Sequence, residues 1–245
     1  MNDSNISKKI VQNLTSNKLK SILEIGPGMG ILTQHLINNK TETFFVEIDK
    51  DSIVYLNKVY PKIQNSIINE DFLKLKLNKF KTPIGLIGNF PYNISSQILF
   101  KLIENRDKVE ELVGMFQLEV AQRVCAPPGS KTYGILSVLI QAFYSAEFLF
   151  SLSPNHFNPP PKVNSGVIRL TKKSNINIGC DEELFFKIVK TSFQQRRKTL
   201  RNSLKSFNLP NNIKEDAIFE KRPEALSVDD FILLTNIIAD GTIPA

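Results

Sequence analysis

The chain has 245 residues, enough for one sizeable domain and a second, smaller one. Hydrophobic residues make up 42% of it, and no apolar run approaches the ~18 residues of a membrane-spanning helix, so we expect no membrane association. A formal net charge of +7 favours a polyanionic partner, because lysine and arginine displace counterions from phosphates. Two cysteines and two histidines argue against a disulfide framework and a metal site. The N-terminus lacks the basic and apolar regions of a signal peptide, so we expect a cytoplasmic location.

Segments typical of strands alternate with segments of helical periodicity through the first two thirds of the chain. In chain order the patterns predict helix 4–19, strand 21–25, helix 31–37, strands 43–48, 66–68 and 84–87, helix 94–103, strand 111–117, helix 134–144, and strands 148–151 and 167–171. This alternation predicts an α/β fold with a mainly parallel, doubly wound sheet, which binds ligands at the carboxyl ends of its strands.

Strand patterns stop after residue 172, and the remaining chain shows only helical periodicity. Helices are expected at about 181–207, 212–220 and 228–239. We therefore predict two domains, a doubly wound domain over 1–172 and a small C-terminal α-helical domain over 173–245.

A glycine-rich segment, Glu24-Ile-Gly-Pro-Gly-Met-Gly30, follows the first strand and opens a helix. Gly26 and Gly28 let the backbone approach a ligand closely. The spacing G-x-G-x-G places Ile31 where a dinucleotide-binding loop has its third glycine, which argues against an NAD-dependent dehydrogenase. The segment resembles motif I of class I methyltransferases, whose Rossmann-like sheet binds S-adenosylmethionine.

Further polar and aromatic residues follow the next two strands. Glu47 ends the second strand, where a carboxylate accepts hydrogen bonds from ribose hydroxyls. Asp71 follows the third strand and suits an adenine amine, while Phe72 suits the face of the adenine ring. Each acid alone fits a solvated loop charge equally well, but three clusters at three successive strand ends predict a cofactor site. Asp49 and Asp51 instead indicate a helix N-terminus.

Asn89-Phe-Pro-Tyr92 follows the fourth strand and resembles the [D/N/S]-P-P-[Y/F] loop of amino-group methyltransferases. Adenine N6 is a poor nucleophile because its lone pair is delocalised into the ring. Hydrogen bonds from N6–H to the Asn89 side chain and to a loop carbonyl would make N6 more tetrahedral. Pro91 stiffens the loop, and Tyr92 suits stacking on the base. We therefore predict a catalytic loop, although an isolated Asn-x-Pro turn also has this pattern.

A second aromatic residue, Phe157, begins the proline-rich segment Phe157-Asn-Pro-Pro-Pro-Lys-Val163. One interpretation is that Phe157 covers the other face of an extruded base, as base-flipping enzymes require. The other is a proline-rich hairpin loop without a catalytic role. The segment by itself supports both equally.

Several motifs together identify the family that the chain resembles. They are Glu24-Ile-Gly-Pro-Gly-Met-Gly30, Asn89-Phe-Pro-Tyr-Asn-Ile-Ser95, Gln117-x-Glu119-Val120, Ser130-Lys-x-Tyr-Gly-x-Leu-Ser137, Phe157-x-Pro-Pro-Pro-Lys-Val163 and Phe193-x-Gln-Arg-Arg-Lys-Thr-x-Arg-Asn-Ser203. Over nearly its whole length the chain resembles the KsgA (RsmA) family of bacterial dimethyladenosine transferases. Phe90 stands where that family more often has leucine.

The resemblance implies dimethylation of two adjacent adenines in the hairpin near the 3′ end of 16S rRNA, late in small-subunit assembly, by a monomer. It implies that Gly26, Glu47, Asp71 and Asn89 contact S-adenosylmethionine, and it supports Phe157 as a stacking partner. The family usually opens with a segment like Lys-x-x-Gly-Gln-x-Phe-Leu-x-Asp, whose last residues align with the start of this chain. We expect the cofactor pocket of the chain as given to lack the wall that this segment provides.

The stretch from Lys187 to Lys205 contains seven basic residues and no acidic one. An apolar stripe through the same stretch predicts a helix with one packed face and one charged face. We expect Arg196, Arg197, Lys198 and Arg201 to contact the RNA backbone, with a solvated helix face as the alternative.

Two other functions are consistent with parts of the pattern. A related enzyme acting on 23S rRNA, of the macrolide-resistance type, lacks the small-subunit motifs quoted above. A non-catalytic RNA- or DNA-binding factor built on the same fold should have an eroded cofactor site, whereas Glu24, Gly26, Glu47, Asp71 and Asn89 are all present.

Overall fold

The computed structural model describes residues 3–241, and in that range seven strands form one sheet. They are β1 (Ser21–Ile25), β2 (Glu42–Glu47), β3 (Ile67–Asn69), β4 (Ile84–Asn89), β5 (Val109–Gln117), β6 (Tyr144–Leu152) and β7 (Ser165–Lys172). The order across the sheet is β3-β2-β1-β4-β5-β7-β6, parallel from β3 to β5, with β7 antiparallel to β5. The predicted doubly wound, mainly parallel sheet is confirmed.

Helices connect most of these strands and form nearly all the regular structure after β7. They are α1 (Ser4–Gln12), α2 (Thr33–Leu36), α3 (Lys50–Val59), α4 (Ser95–Glu104), α5 (Leu118–Val124), α6 (Ile135–Phe143), α7 (Glu182–Gln194), α8 (Leu200–Ser203), α9 (Asn211–Lys214) and α10 (Val228–Asp240). The predicted cap of α3 is confirmed, since the Asp49 carboxylate accepts a hydrogen bond from Ser52 N at 2.9 Å. Helix α5 was not predicted from the sequence.

Helix α1 is shorter than the predicted helix 4–19 because a contact with the sheet ends it. The backbone N–H groups of Thr15 and Ser16 donate to the Glu111 carboxylate at 3.0 and 2.9 Å. Glu111 lies in β5 and is buried. These N–H groups would otherwise be free to continue a helix, and a carboxylate 95 residues or more along the chain captures them.

The predicted helix 181–207 was also wrong, because the chain turns after α7. Lys198 N donates to Gln195 O at 2.8 Å, and the backbone at Thr199 is extended before α8 begins. Leu200 N pairs with the carbonyl of Lys221 at 2.9 Å. Much of the basic stretch therefore lies in a turn and a four-residue helix rather than along one continuous helix.

Contacts divide the chain into two compact units, one of residues 1–122 with 145–172 and the other of 123–144 with 173–245. Residues 123–144, which include α6, group with the C-terminal helices rather than with the sheet, unlike in the predicted division. Within that second unit the Gln141 amide donates to the carbonyls of Val124 and Ala126 at 2.8 and 2.9 Å.

The central strands of the sheet are buried along almost their whole length. Every residue of β1 is buried, as is every residue of β5 except Gln117 at its end. Strands covered on both faces bury nearly all of their side chains, so most polar groups lie at the strand ends. The buried acid Glu24 of β1 is an exception.

Candidate active site

The carboxyl ends of β1, β2 and β4 meet at one edge of the sheet, which brings the predicted loops together. Gly26 follows β1 with φ +65°, and its N–H donates to Val46 O in β2 at 2.9 Å. Gly28, with φ +54°, donates its N–H to Glu47 Oε2 at 2.9 Å. Both glycines need left-handed backbone, which a residue with a Cβ rarely adopts. The glycine loop is thereby attached to the end of β2.

A cavity of about 220 Å³ lies against this loop. The residues that line it are Glu24, Gly26, Pro27, Gly28, Met29, Ile31, Leu32, Asn89 and Asn158. The structure therefore brings the glycine loop and the catalytic loop onto one space, as the sequence predicted. Asn158 was not predicted here; its neighbour Phe157 drew attention to the segment, but nothing local indicates that Asn158 reaches the glycine loop.

Glu24 is a buried acid in the wall of this cavity. Its side chain is 1% exposed, and its Oε2 accepts a hydrogen bond from Thr33 Oγ1 at 2.8 Å. Burial raises the pKa of Glu24 to about 8, because the charged form loses its hydration, and this outweighs the hydrogen bonds from Thr33. The side chain consequently carries a proton over much of the neutral range.

The described residues that form the cavity wall do not include Glu47, Asp71 or Phe72. Glu47 adjoins the wall through Gly28, and it also accepts N–H bonds from Ile48 and Asp49 at 2.8 and 3.0 Å. Asp71 is half-buried and accepts from Leu73 N at 2.9 Å. Phe72 is 4% exposed. Their predicted contacts with the cofactor stay predictions.

The catalytic loop is held from below by Phe90. This side chain is 1% exposed and stacks at a tilt on Phe116, with ring centroids 4.9 Å apart. Gly88 and Gly114 make room for it: a Cβ on Gly114 would lie 2.0 Å from Phe90 Cε2. Phe90 N also donates to Met115 O in β5 at 3.2 Å. Buried packing thus fixes where the exposed residues of the loop stand.

A second cavity, about 240 Å³, opens between the catalytic loop and the proline-rich segment. We call it the base pocket. It is lined by Asn89, Phe90, Pro91, Tyr92, Phe157, Pro159 and Pro161. All four residues predicted to be catalytic therefore line one space, a juxtaposition that favours the stacking interpretation of Phe157 over the plain loop.

Asn89 lines both the cavity at the glycine loop and the base pocket. Its side-chain amide makes no hydrogen bond to any of residues 3–241, so it is available to a ligand. Tyr92 by contrast is anchored, since its hydroxyl lies 2.6 Å from Ser165 Oγ in β7. One free amide at the junction and one fixed ring beside it suit the holding of a planar base.

The four predicted RNA-binding residues differ in what they already contact. The Arg196 guanidinium donates to the carbonyls of Lys131 and Ser130 at 2.7 and 3.1 Å. Arg201 donates to Lys214 O and forms an ion pair with Glu220.

Arg197 and Lys198 are exposed and form no ion pair within the described range. The protein interior thus already uses the charges of Arg196 and Arg201, and only the other two are free for a phosphate.

Two searches of residues 3–241 bear on other functions. No cluster of three or more potential metal-ligating side chains occurs there. No helix in the same range has the length and hydropathy to cross a membrane.

Comparison with known proteins identifies close relatives along the whole chain. A sequence model of the family described as ribosomal RNA adenine dimethylase matches residues 1–240. A protein of Flavobacterium johnsoniae named ribosomal RNA small subunit methyltransferase A is 54% identical over 244 residues, which cover 98% of this chain and 94% of the relative. A protein of the same name from Cytophaga hutchinsonii is 52% identical over 242 residues, with coverage of 98% and 94%.

Solved structures agree in fold. A dimethyladenosine transferase from Plasmodium falciparum has a TM-score of 0.84 at 26% identity, covering 99% of this chain and 98% of that one. The 23S rRNA methyltransferase ErmE has a TM-score of 0.73 at 22% identity, covering 96% and 99%. At that identity the second likeness shows the fold alone. Together they confirm the class I, Rossmann-like methyltransferase fold.

Proposed function

The chain belongs to the ribosomal RNA adenine dimethylase family, and from this we propose that it dimethylates N6 of two adjacent adenines in the hairpin near the 3′ end of 16S rRNA. S-adenosylmethionine is the methyl donor, and the small ribosomal subunit or its late precursor is the substrate. The observation that carries the proposal is that Asn89 lines both the glycine-loop cavity and the base pocket. The names of the relatives favour this substrate over 23S rRNA.

The residues around the glycine loop fit S-adenosylmethionine. A Cβ on Gly28 would meet nothing within 4 Å, and one on Gly26 would reach only Pro91 Cδ, at 4.0 Å. The loop therefore borders open space, part of it between Gly26 and the catalytic loop. The donor carries no phosphate, so it needs close backbone approach rather than a strong anion site. Glu47, at the end of β2, would accept hydrogen bonds from its ribose hydroxyls.

The chain's own residues activate and orient the adenine. When bound, S-adenosylmethionine supplies a methyl group on a sulfonium, which an amine attacks without help from a metal. The Asn89 side-chain oxygen accepts a hydrogen bond from N6–H, and a carbonyl of Phe90 or Pro91 accepts the other. Both bonds draw N6 out of conjugation with the ring. An amide oxygen does this without adding a charge, and positioning supplies most of the rate gain.

The base is held between aromatic faces. Tyr92 and Phe157 both line the base pocket, and each base–aromatic stack contributes about 1–3 kcal/mol. The hydrogen bond from Tyr92 to Ser165 restrains the Tyr92 ring before the base arrives. Unstacking the target adenine from the RNA costs a few kcal/mol, which these two stacks offset. Arg197 and Lys198 contact the RNA backbone from the second unit.

The test is methyl transfer from tritiated S-adenosylmethionine to small subunits that lack the modification, with the labelled bases mapped. We expect label on N6 of two adjacent adenines and an approximately 100-fold slower transfer by Asn89→Ala, since a positioned hydrogen bond at the reacting atom has been lost. Asn78→Ala, at an exposed position, is the matched control and should keep full activity. Failure of the unaltered protein to label small subunits would refute the proposal.

A further inference from the structure

A third cavity lies beside the base pocket and has no part in the chemistry described so far. At about 490 Å³ it is roughly twice the volume of the base pocket, about 240 Å³. Its polar lining residues come from the end of β5, from α5 and from the segment before β7. They are Gln117, Glu119, Gln122, Lys162 and Asn164. We call this space the neighbour pocket.

The polar side chains of the neighbour pocket are unengaged. None of the five forms a side-chain hydrogen bond or an ion pair within the part of the chain that the structure describes. Elsewhere in the same unit such groups are engaged, since Arg169 pairs with Glu147 and Lys101 donates to two backbone carbonyls. Five free donors and acceptors around one cavity form an arrangement suited to a polar ligand.

The two pockets share a wall. Pro161 lines the base pocket and Lys162, the next residue, lines the neighbour pocket, so their Cα atoms are about 3.8 Å apart. A second link crosses the sheet: Tyr92 bonds to Ser165, and Ser165 pairs with Gln117 in the β5–β7 ladder. A strand of RNA that delivers one base to the base pocket therefore passes the neighbour pocket with the adjoining nucleotide.

The chemistry of the neighbour pocket suits a base that carries an exocyclic amine. A carboxylate such as Glu119 accepts from an N–H₂ group, while the amides of Gln117 and Gln122 both donate and accept at a base edge. Lys162 supplies a positive charge for the connecting phosphate, and Leu118 and Val163 add apolar surface against which a base can lie. A carbonyl in place of the amine would meet the Glu119 carboxylate with like partial charge.

We propose that the neighbour pocket binds the nucleotide next to the target adenine and that Glu119 selects for an amine on its base. This inference rests on the proposed function, since it concerns how the second of two adjacent adenines is held while the first is methylated. Gln117, Gln122 and Lys162 orient the same nucleotide, and none of these residues touches the reacting atoms.

The test uses small subunits in which one of the two adenines is replaced by cytosine, which keeps an exocyclic amine, or by uracil, which has a carbonyl instead. Methylation of the remaining adenine is mapped and timed. The unaltered protein should act about tenfold faster beside cytosine than beside uracil. Glu119→Gln presents an amide that donates to a carbonyl and accepts from an amine, so it should bring the cytosine-to-uracil rate ratio close to one.

Glu42→Gln is the control, because Glu42 begins β2 at the opposite end of the parallel strands, and it should keep the tenfold ratio. A gain of activity beside uracil in Glu119→Gln cannot arise from misfolding. Equal rates beside both bases in the unaltered protein, or an unchanged ratio in Glu119→Gln, would overturn the inference and leave the proposed function intact. Absence of methylation on unmodified subunits would instead overturn the proposed function.

Discussion

Replacing Gly114 by alanine should disturb the catalytic loop from inside the sheet. The new Cβ would lie 2.0, 2.7 and 2.9 Å from three ring carbons of Phe90, whereas carbons in contact stand about 3.5–4.0 Å apart. The ring must therefore move by about 1.5 Å. It has little room to do so, because the ring of Phe116 lies 4.9 Å away, centroid to centroid. We expect Gly114→Ala to cost about 1–3 kcal/mol of stability through overpacking.

Activity should fall further than stability, because Phe90 is part of the loop that carries Asn89. A displacement of about 1 Å at reacting groups costs on the order of 100-fold in rate. Phe90→Leu, the residue more usual in the family, should alone cost about 1 kcal/mol. In the double variant the smaller leucine leaves space for the alanine methyl group, so both stability and rate should recover relative to Gly114→Ala.

Denaturant midpoints and single-turnover methylation rates of the four proteins complete a double-mutant cycle. The expected coupling between the two sites is at least about 1 kcal/mol, of rescuing sign. If the double variant were as unstable and as slow as the sum of the single changes, Phe90 would not be what positions the loop.

Two further predictions concern charge. The folded protein holds a proton on Glu24, whose pKa burial raises from 4.5 to about 8, and the unfolded chain releases it, so stability should fall between those pH values by up to about 1.4 kcal/mol per unit. Glu24→Gln should flatten this slope in urea titrations, and an unchanged slope would contradict the pKa. Arg197→Glu with Lys198→Glu should weaken RNA binding and lower its salt slope by about one per phosphate contact, whereas Arg196→Glu should mainly lower the denaturant midpoint; equal effects on binding would contradict this.

Local sequence was sufficient where the determining interactions are local. The strands, the glycine loop and the catalytic loop could be predicted because burial on both faces leaves continuous apolar runs and because turn residues mark their ends. The cofactor loop at Gly26 and the amide at Asn89 follow from this order alone, since parallel strands bring their carboxyl ends to one edge. Residue types at those ends then indicated the chemistry.

Tertiary structure decided what depends on distant partners. Glu111 ends α1 by capturing the N–H groups of Thr15 and Ser16, and carbonyls from another segment bind Arg196, which the sequence had assigned to RNA. No periodicity near those residues could show this, because each partner lies at least 65 residues away along the chain. Whether Phe157 is a plain loop residue or part of a base site was likewise open until folding placed it in one pocket with Asn89.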